Sequence, residues 1–78
     1  LEGKRGKDYK TLLQEYVQRD GDKHIVYRLL SESGPDHAKT FHMVVEINGV
    51  TYEAGSGKSK KIAEQHAAQL TLEKLMAK

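Results

Sequence analysis

The sequence predicts a small α+β domain of α-β-β-β-α order, in which two helices pack on one face of a three-stranded antiparallel sheet. Segments with helical periodicity lie towards the two ends of the chain. Between them are three short segments rich in β-branched or aromatic residues, separated by turn signals. A chain of 78 residues has room for one such domain, which we assign to residues 8–76.

Composition describes a globular unit but says little about function. Apolar residues make up 37% of the chain and charged residues 31%, which is typical of a water-soluble domain. No apolar run approaches the roughly 20 residues that span a bilayer, so we expect no membrane partner. The absence of cysteine excludes disulfides and thiolate metal sites, and it agrees with a cytoplasmic location. The net charge of +2 is too small to indicate nucleic acid by itself.

The first helix is predicted over the segment YKTLLQEYVQ. Asp8 precedes this segment as an N-cap, and Gly21 follows it as a helix stop. The apolar side chains recur at spacings of three and four, and they are Tyr9, Leu12, Leu13, Tyr16 and Val17. Before the helix, the basic, glycine-containing segment LEGKRGK at residues 1–7 predicts a flexible tail or linker.

Three strands follow the first helix. The first begins at HIVYRLL, and the turn cluster SGPDH separates it from the second strand, TFHMVVEI. The dipeptide Asn48–Gly49 is a strong hairpin signal, after which VTYEA returns as the third strand. The segment GSG then predicts a glycine-rich turn before the last helix, which we expect from about Ser59 to Met76. Its small alanines, Ala63 and Ala67, would let this helix lie close to the sheet.

Three lysines, Lys58, Lys60 and Lys61, lie at the start of the last helix. A helix N-terminus carries partial positive charge, so cations there are mildly unfavourable unless an anion is bound. No acidic residue lies between Ala54 and Ala63 to neutralise these lysines. Together with the free N–H groups of the first turn they predict a phosphate-binding site. The alternative is a solvated cluster that keeps the domain soluble.

The lysine-bearing segment does not match a nucleotide-binding P-loop. That motif requires a glycine five residues before Gly57, where this chain has Tyr52. The chain is also too short for the parallel α/β sheet that carries such a loop. We therefore do not expect nucleotide hydrolysis.

Two other polar regions accompany the lysines. The first helix has a polar flank opposite its apolar stripe, formed by Thr11, Gln14, Glu15 and Gln18. The turn GPDHAK between the first two strands carries His37 and Lys39. Three polar regions along one surface suit a long, regular ligand better than a compact one.

These motifs resemble a known family. GPDH…KTF, NGVTYEAGSGKSKKIAEQHAA and the terminal LEKL are similar to the double-stranded-RNA-binding domain family over about residues 8–76. More narrowly, DYKTLLQEYVQ, YRLLSESGPDHAKTF and GKSKKIAEQHAA resemble the carboxy-terminal domain of bacterial ribonuclease III. The resemblance implies that the chain binds double-stranded RNA by shape, with little sequence preference. It also implies that the chain positions substrate for a catalytic domain that this sequence does not contain.

The resemblance assigns a role to each polar region. Domains of this family span about 16 base pairs, contacting two minor grooves and the phosphates of the major groove between them. The phosphate contacts would be Lys58, Lys60 and Lys61. Contacts in one minor groove would be Thr11, Gln14, Glu15 and Gln18, and in the next Pro35 and His37. Asp36 is acidic in a turn that approaches RNA, so its role stays open.

The resemblance also bears on chemistry and assembly. We expect no catalytic residue, cofactor, metal or small-molecule ligand in this chain, because the magnesium-dependent endonuclease chemistry belongs to the catalytic domain. The fragment would be monomeric and the parent protein a homodimer. The alternative function is protein interaction, since domains of this type sometimes dimerise instead of binding RNA. The four histidines have neither cysteine partners nor paired helical spacing, which argues against zinc.

Overall fold

The computed structural model describes residues 8–19 and 21–77, and the predicted tail or linker at residues 1–7 lies outside them. The element order is the predicted α-β-β-β-α, with one additional short 3₁₀ helix between the first two strands. The elements are α1 (Tyr9–Gln18), β1 (Ile25–Ser33), the 3₁₀ helix (Asp36–Ala38), β2 (Thr40–Ile47), β3 (Val50–Gly57) and α2 (Lys60–Met76).

The three strands form one antiparallel sheet of order β1-β2-β3. The hairpin predicted between β2 and β3 is confirmed, since Asn48 and Gly49 both have positive φ angles, of 51° and 82°. In the β1–β2 pair, Leu29 lies opposite Met43 but Ser31 lies opposite His42. Leu30 is therefore an extra residue, a β-bulge that changes which face the rest of β1 presents.

Helix α1 is bounded as the sequence predicts. The carboxylate of Asp8 accepts a hydrogen bond from the Thr11 backbone N–H at 3.2 Å, and Gly21 beyond the helix has a φ of +118°. Leu13 is fully buried, as predicted. Leu12 was also predicted to lie in the core, but it is 38% exposed. The reason is angular, because consecutive helical residues are about 100° apart and Leu12 falls at the edge of the buried face.

Helix α2 lies close against β3, and two glycines make this possible. A Cβ atom on Gly55 would overlap the backbone nitrogen of Ala67, and one on Gly57 would overlap the side chain of Ile62. The predicted glycine-rich turn is wrong on this point, since β3 continues through Gly57 and only Lys58 and Ser59 connect it to α2. The glycines serve helix–sheet packing, not chain reversal.

The core lies between the two helices and the sheet. Its central cluster consists of Leu13, Val17, Val45, Ile47, Ala67 and Ala68. Thr71 of α2 is also fully buried, and its hydroxyl oxygen accepts a hydrogen bond from the Glu53 backbone N–H at 3.3 Å. His66 Nδ1 likewise accepts from the Ser56 N–H at 3.1 Å. Side chains of α2 thus satisfy N–H groups on the outer edge of β3, which blunts that edge against strand pairing.

Candidate nucleic-acid interface

The start of α2 presents three exposed lysines. Ser59 is the N-cap and accepts a hydrogen bond from the Ile62 N–H at 3.1 Å, so the helix begins at Lys60. Lys60 and Lys61 occupy its first two positions, which contain no acidic residue in the first turn. Lys58 precedes the cap, and no ion pair involves any of the three lysines within residues 8–19 and 21–77. The helix start is therefore strongly positive and open to an anion.

The β1–β2 turn projects its residues into solvent. The Ala38 N–H donates to the Pro35 carbonyl at 2.9 Å, which closes the 3₁₀ helix. Gly34 enters the turn with a φ of +89°, and a Cβ there would come within 2.6 Å of the Ala38 carbonyl oxygen. Only glycine fits this position without displacing the turn. Pro35 and His37 are exposed as a result.

The β1–β2 turn and the start of α2 meet at one end of the sheet. β2 begins directly after the turn, and Phe41 of β2 lies opposite Gly57, the last residue of β3. A cavity of about 340 Å³ lies between the two regions. Its lining consists of Asp36, His37, Ala38, Lys39, Thr40, Phe41 and Lys58. The structure therefore brings two of the sequence-predicted contacts, His37 and Lys58, to one cavity.

The N-terminal end of helix α1 is fixed beside the N-terminal half of α2. The Tyr9 N–H donates to Gln65 Oε1 at 2.8 Å, and Gln65 Nε2 donates to the Asp8 carboxylate at 2.8 Å. Lys10 forms an ion pair with Glu64. Gln65 lies only about 7.5 Å along the helix axis from Lys60. The position of α1 is thus tied to that of the lysines.

The polar flank of α1 divides into two parts. Thr11, Gln14 and Glu15 are exposed and available to a ligand. Gln18 is engaged, because its amide nitrogen donates to the Lys23 carbonyl at 2.9 Å and its oxygen accepts from the Lys23 N–H at 2.7 Å. Its side chain orders the connection between α1 and β1, and a ligand would have to compete with both bonds.

The pKa shifts beside the α1–α2 contact indicate a structural role for the groups concerned. Burial raises the pKa of Tyr27 to about 12, and the carboxylates of Glu64 and Asp8 add to the shift. The hydrogen bond from Gln65, with a further one from Thr11, lowers the pKa of Asp8. The Lys10 ammonium lies 4.9 Å from the centre of the Tyr27 ring. Both shifts favour the ordinary ionisation states at neutral pH, which suits anchoring better than proton transfer.

One basic residue of the cavity has no counterpart among the contacts assigned from sequence. Lys39 Nζ lies 3.0 Å from Glu32 Oε1, across the turn. The position of Lys39 two residues after His37 is visible in the sequence, but its pairing with Glu32 depends on the strand register. Asp36, whose role the sequence left open, lines the same cavity.

The described part of the chain contains neither a candidate metal site nor a candidate membrane span. No group of three or more histidine, aspartate or glutamate side chains is placed there to hold a metal ion. Among the same residues, neither helix has the length and apolarity that crossing a bilayer requires.

Most of the chain is similar to one known protein family and to proteins named Ribonuclease 3. The family described as double-stranded RNA binding motif matches residues 9–75. Ribonuclease 3 of Streptococcus mutans serotype c is 57% identical over 68 residues, which are 87% of this chain and 29% of that protein. Ribonuclease 3 of Streptococcus pyogenes serotype M3 is 52% identical over 71 residues, or 91% of this chain and 31% of that protein. The chain thus spans about three tenths of the length of these relatives.

Solved structures agree with the fold. The solution structure of DRB4 dsRBD2 superposes with a TM-score of 0.63 and 36% sequence identity, covering 90% of this chain and 97% of that one. The solution structure of both DRB4 dsRBDs with their linker gives a TM-score of 0.60 at 33% identity, covering 99% of this chain and 51% of the other.

Proposed function

The chain belongs to the double-stranded RNA-binding motif family, and from this premise we propose that it is the RNA-binding domain of a ribonuclease 3 that processes structured RNA. The lysines at the start of α2 meet phosphates, and the polar surfaces on either side enter minor grooves. The observation that carries this proposal is the shared cavity of His37 and Lys58, with α1 hydrogen-bonded to α2 nearby. We infer that the polar flank of α1 extends the surface formed by the other two regions.

A-form geometry explains why the surface needs both kinds of contact. The major groove of duplex RNA is deep and narrow, so its phosphate rims are accessible but its base edges are not. Lys58, Lys60 and Lys61 are flexible point charges that can follow phosphates on these rims. The minor groove is wide and shallow and displays 2′-hydroxyls, which distinguish RNA from DNA.

Neutral polar side chains suit the minor groove. His37 and Gln14 can each donate a hydrogen bond to a 2′-hydroxyl oxygen without a net charge. Glu15 can accept a hydrogen bond from a 2′-hydroxyl, which a phosphate could not donate. Thr11 and Pro35 complete the two minor-groove surfaces, whereas Gln18 contributes only if it leaves Lys23.

The proposed role in the whole protein rests on the ribonuclease 3 relatives. These proteins are more than three times as long as the matched segment, and we assign their endonuclease chemistry to the part beyond it. The whole protein would then be a cytoplasmic, divalent-metal-dependent, homodimeric endoribonuclease. This domain would hold the duplex and contribute no catalytic group, metal or cofactor.

Binding to matched duplexes tests the proposal. We would titrate the chain with a 20-base-pair RNA duplex, the DNA duplex of the same sequence, and the single-stranded RNA. We expect tight binding to the RNA duplex alone, with amide NMR shifts at Gln14, His37 and Lys60. Replacing His37 with alanine should narrow the preference for RNA over DNA. Equal binding to RNA and DNA duplexes, or unmoved resonances at these three residues, would contradict it.

A further inference from the structure

The cavity beside the β1–β2 turn contains two lysines in different electrostatic states. Lys39 Nζ is 3.0 Å from Glu32 Oε1, and the two side chains are only 38% and 34% exposed. Lys58 lines the same cavity and forms no ion pair within the part of the chain that the structure describes. Before any ligand arrives, Lys39 is therefore paired with a carboxylate, whereas Lys58 has no such partner among the described residues.

The β-bulge at Leu30 places Glu32 near this cavity. The register shift puts Glu32 opposite Phe41, which in turn lies opposite Gly57, the residue before Lys58. Directly opposed residues of antiparallel strands point to the same face. Without the extra residue, Glu32 would pair with Thr40 and point to the other face. The bulge thus directs this carboxylate to the face that carries the helices and the lysines.

A free lysine on this turn would reduce discrimination between nucleic acids. Phosphates are common to RNA and DNA, so an additional phosphate contact strengthens binding to both and carries no information about the sugar. The 2′-hydroxyl is present only in RNA. Because Glu32 and Asp36 outnumber Lys39, the turn has a formal charge of −1. Such a turn gains affinity where His37 meets a 2′-hydroxyl, and it gains little from phosphates elsewhere.

We propose that Glu32 is a specificity-determining residue that restrains Lys39 from binding phosphate, so that the β1–β2 turn favours RNA over DNA duplexes. This inference rests on the proposed function and refines it. Glu32 would act through Lys39 and through its own negative charge beside the duplex. Removing the carboxylate would release Lys39 and would also remove a negative charge. Both effects make the turn more positive and strengthen its attraction to phosphate.

Replacing Glu32 with glutamine tests the proposal. We expect binding to the DNA duplex to tighten about two- to fivefold, which corresponds to the strength of an exposed ion pair. Binding to the RNA duplex should tighten less, because His37 already holds the turn in its minor groove. The slope of log affinity against log salt on DNA should steepen by about 0.9, the value for one further phosphate contact.

A second substitution and a control make the test specific. Lys39→Met in the E32Q background should return both the DNA affinity and the salt slope to their original values. Glu53→Gln is the matched control, because Glu53 pairs with Lys74 on the surface at 3.2 Å, towards the other end of α2. It removes the same charge and should leave binding unchanged.

Three results would overturn the inference. They are an unchanged DNA affinity in E32Q, a weakened RNA affinity in E32Q, and a failure of Lys39→Met to reverse the effect. Weakened RNA binding would mean that the ion pair only holds the turn in shape. Failure of the proposed function is a separate outcome, since the unmodified chain would then bind RNA and DNA duplexes equally well.

Discussion

At the scale of single residues, the lysines at the start of α2 are unfavourable for the free helix, and the proposed phosphate contacts would account for them. Lys60 and Lys61 occupy helical positions where the backbone N–H groups already present positive charge. Each costs the free helix a few tenths of a kcal/mol, up to about 1 kcal/mol at low salt. A phosphate removes this cost, because it binds both the ammonium groups and the helix end.

Replacing Lys60 and Lys61 together with alanine should therefore weaken binding to every duplex sequence alike. The salt slope should flatten by about 1.8 if each lysine meets one phosphate. The free domain should be as stable as before or slightly more stable in urea unfolding. Lys74→Ala is the control, because Lys74 lies in the last turn of α2 and is paired with Glu53. An unchanged slope in the double variant would show that neither lysine contacts a phosphate.

The ionisation of Tyr27 should lower the free energy of unfolding at alkaline pH. The Tyr27 pKa is about 12 in the folded protein, compared with the ordinary tyrosine value of 10.0 in the unfolded chain, mainly because the ring is partly buried. The unfolded chain therefore releases this proton first. The stabilisation is complete below pH 10 and is lost as the pH rises towards 12. Urea unfolding between pH 8 and pH 11.5 should show this decline, and Tyr27→Phe should make it shallower. An equal decline in both proteins would contradict the assignment.

At the scale of elements, the packing of α2 on β3 positions the lysines. Ala67 is fully buried, and its backbone nitrogen occupies the space where a side chain on Gly55 would lie. The contact therefore has no room for additional atoms. It also brings Thr71 and His66 to the edge of β3, where they accept hydrogen bonds from the strand.

Ala67→Leu should overpack this contact and destabilise the fold by about 1–3 kcal/mol. Urea unfolding followed by circular dichroism would measure the change. Ala77→Leu adds the same atoms at an exposed position beyond the end of the same helix, and it should be nearly neutral. If Ala67→Leu left the free energy of unfolding unchanged, the sheet and helix would have to move apart more easily than the close contact indicates.

At the scale of the whole molecule, the fold sets the distance between the polar regions. The sheet carries the β1–β2 turn and the start of α2 at one end, and hydrogen bonds hold α1 alongside α2. The proposed RNA duplex would have to reach all these regions at once to gain the full binding energy. Domains of this family achieve this over about 16 base pairs.

Binding should therefore depend on duplex length. We expect one monomeric domain per 16-base-pair RNA duplex in analytical ultracentrifugation. An 8-base-pair duplex presents only one minor groove and should lose at least tenfold in affinity, since one of the flanking surfaces is left without a partner. Equal affinity for both lengths would mean that a single region carries the binding. A domain that dimerises without RNA would support the protein-interaction alternative instead.

Features that depend on near neighbours along the chain could be predicted from the amino-acid sequence. The N-cap at Asp8, the hairpin at Asn48–Gly49, the order of the elements and the accumulation of lysines before Ile62 each follow from a few consecutive residues. Local hydrogen bonds and side-chain periodicity decide these features. They were sufficient to identify the fold and to suggest where phosphate would bind.

Features that depend on a residue far along the chain follow instead from the packing of the folded domain. Gly55 and Gly57 belong to a strand because they pair with β2, and they are glycines because α2 lies against them. Glu32 faces the lysines because a bulge shifts its register with β2. Thr71 can be buried because its hydroxyl accepts a hydrogen bond at the edge of β3. Each outcome depends on which partner lies across a strand or beneath a helix. The local pattern leaves that partner open, because glycine, glutamate and threonine are all compatible with turns and exposed surfaces as well.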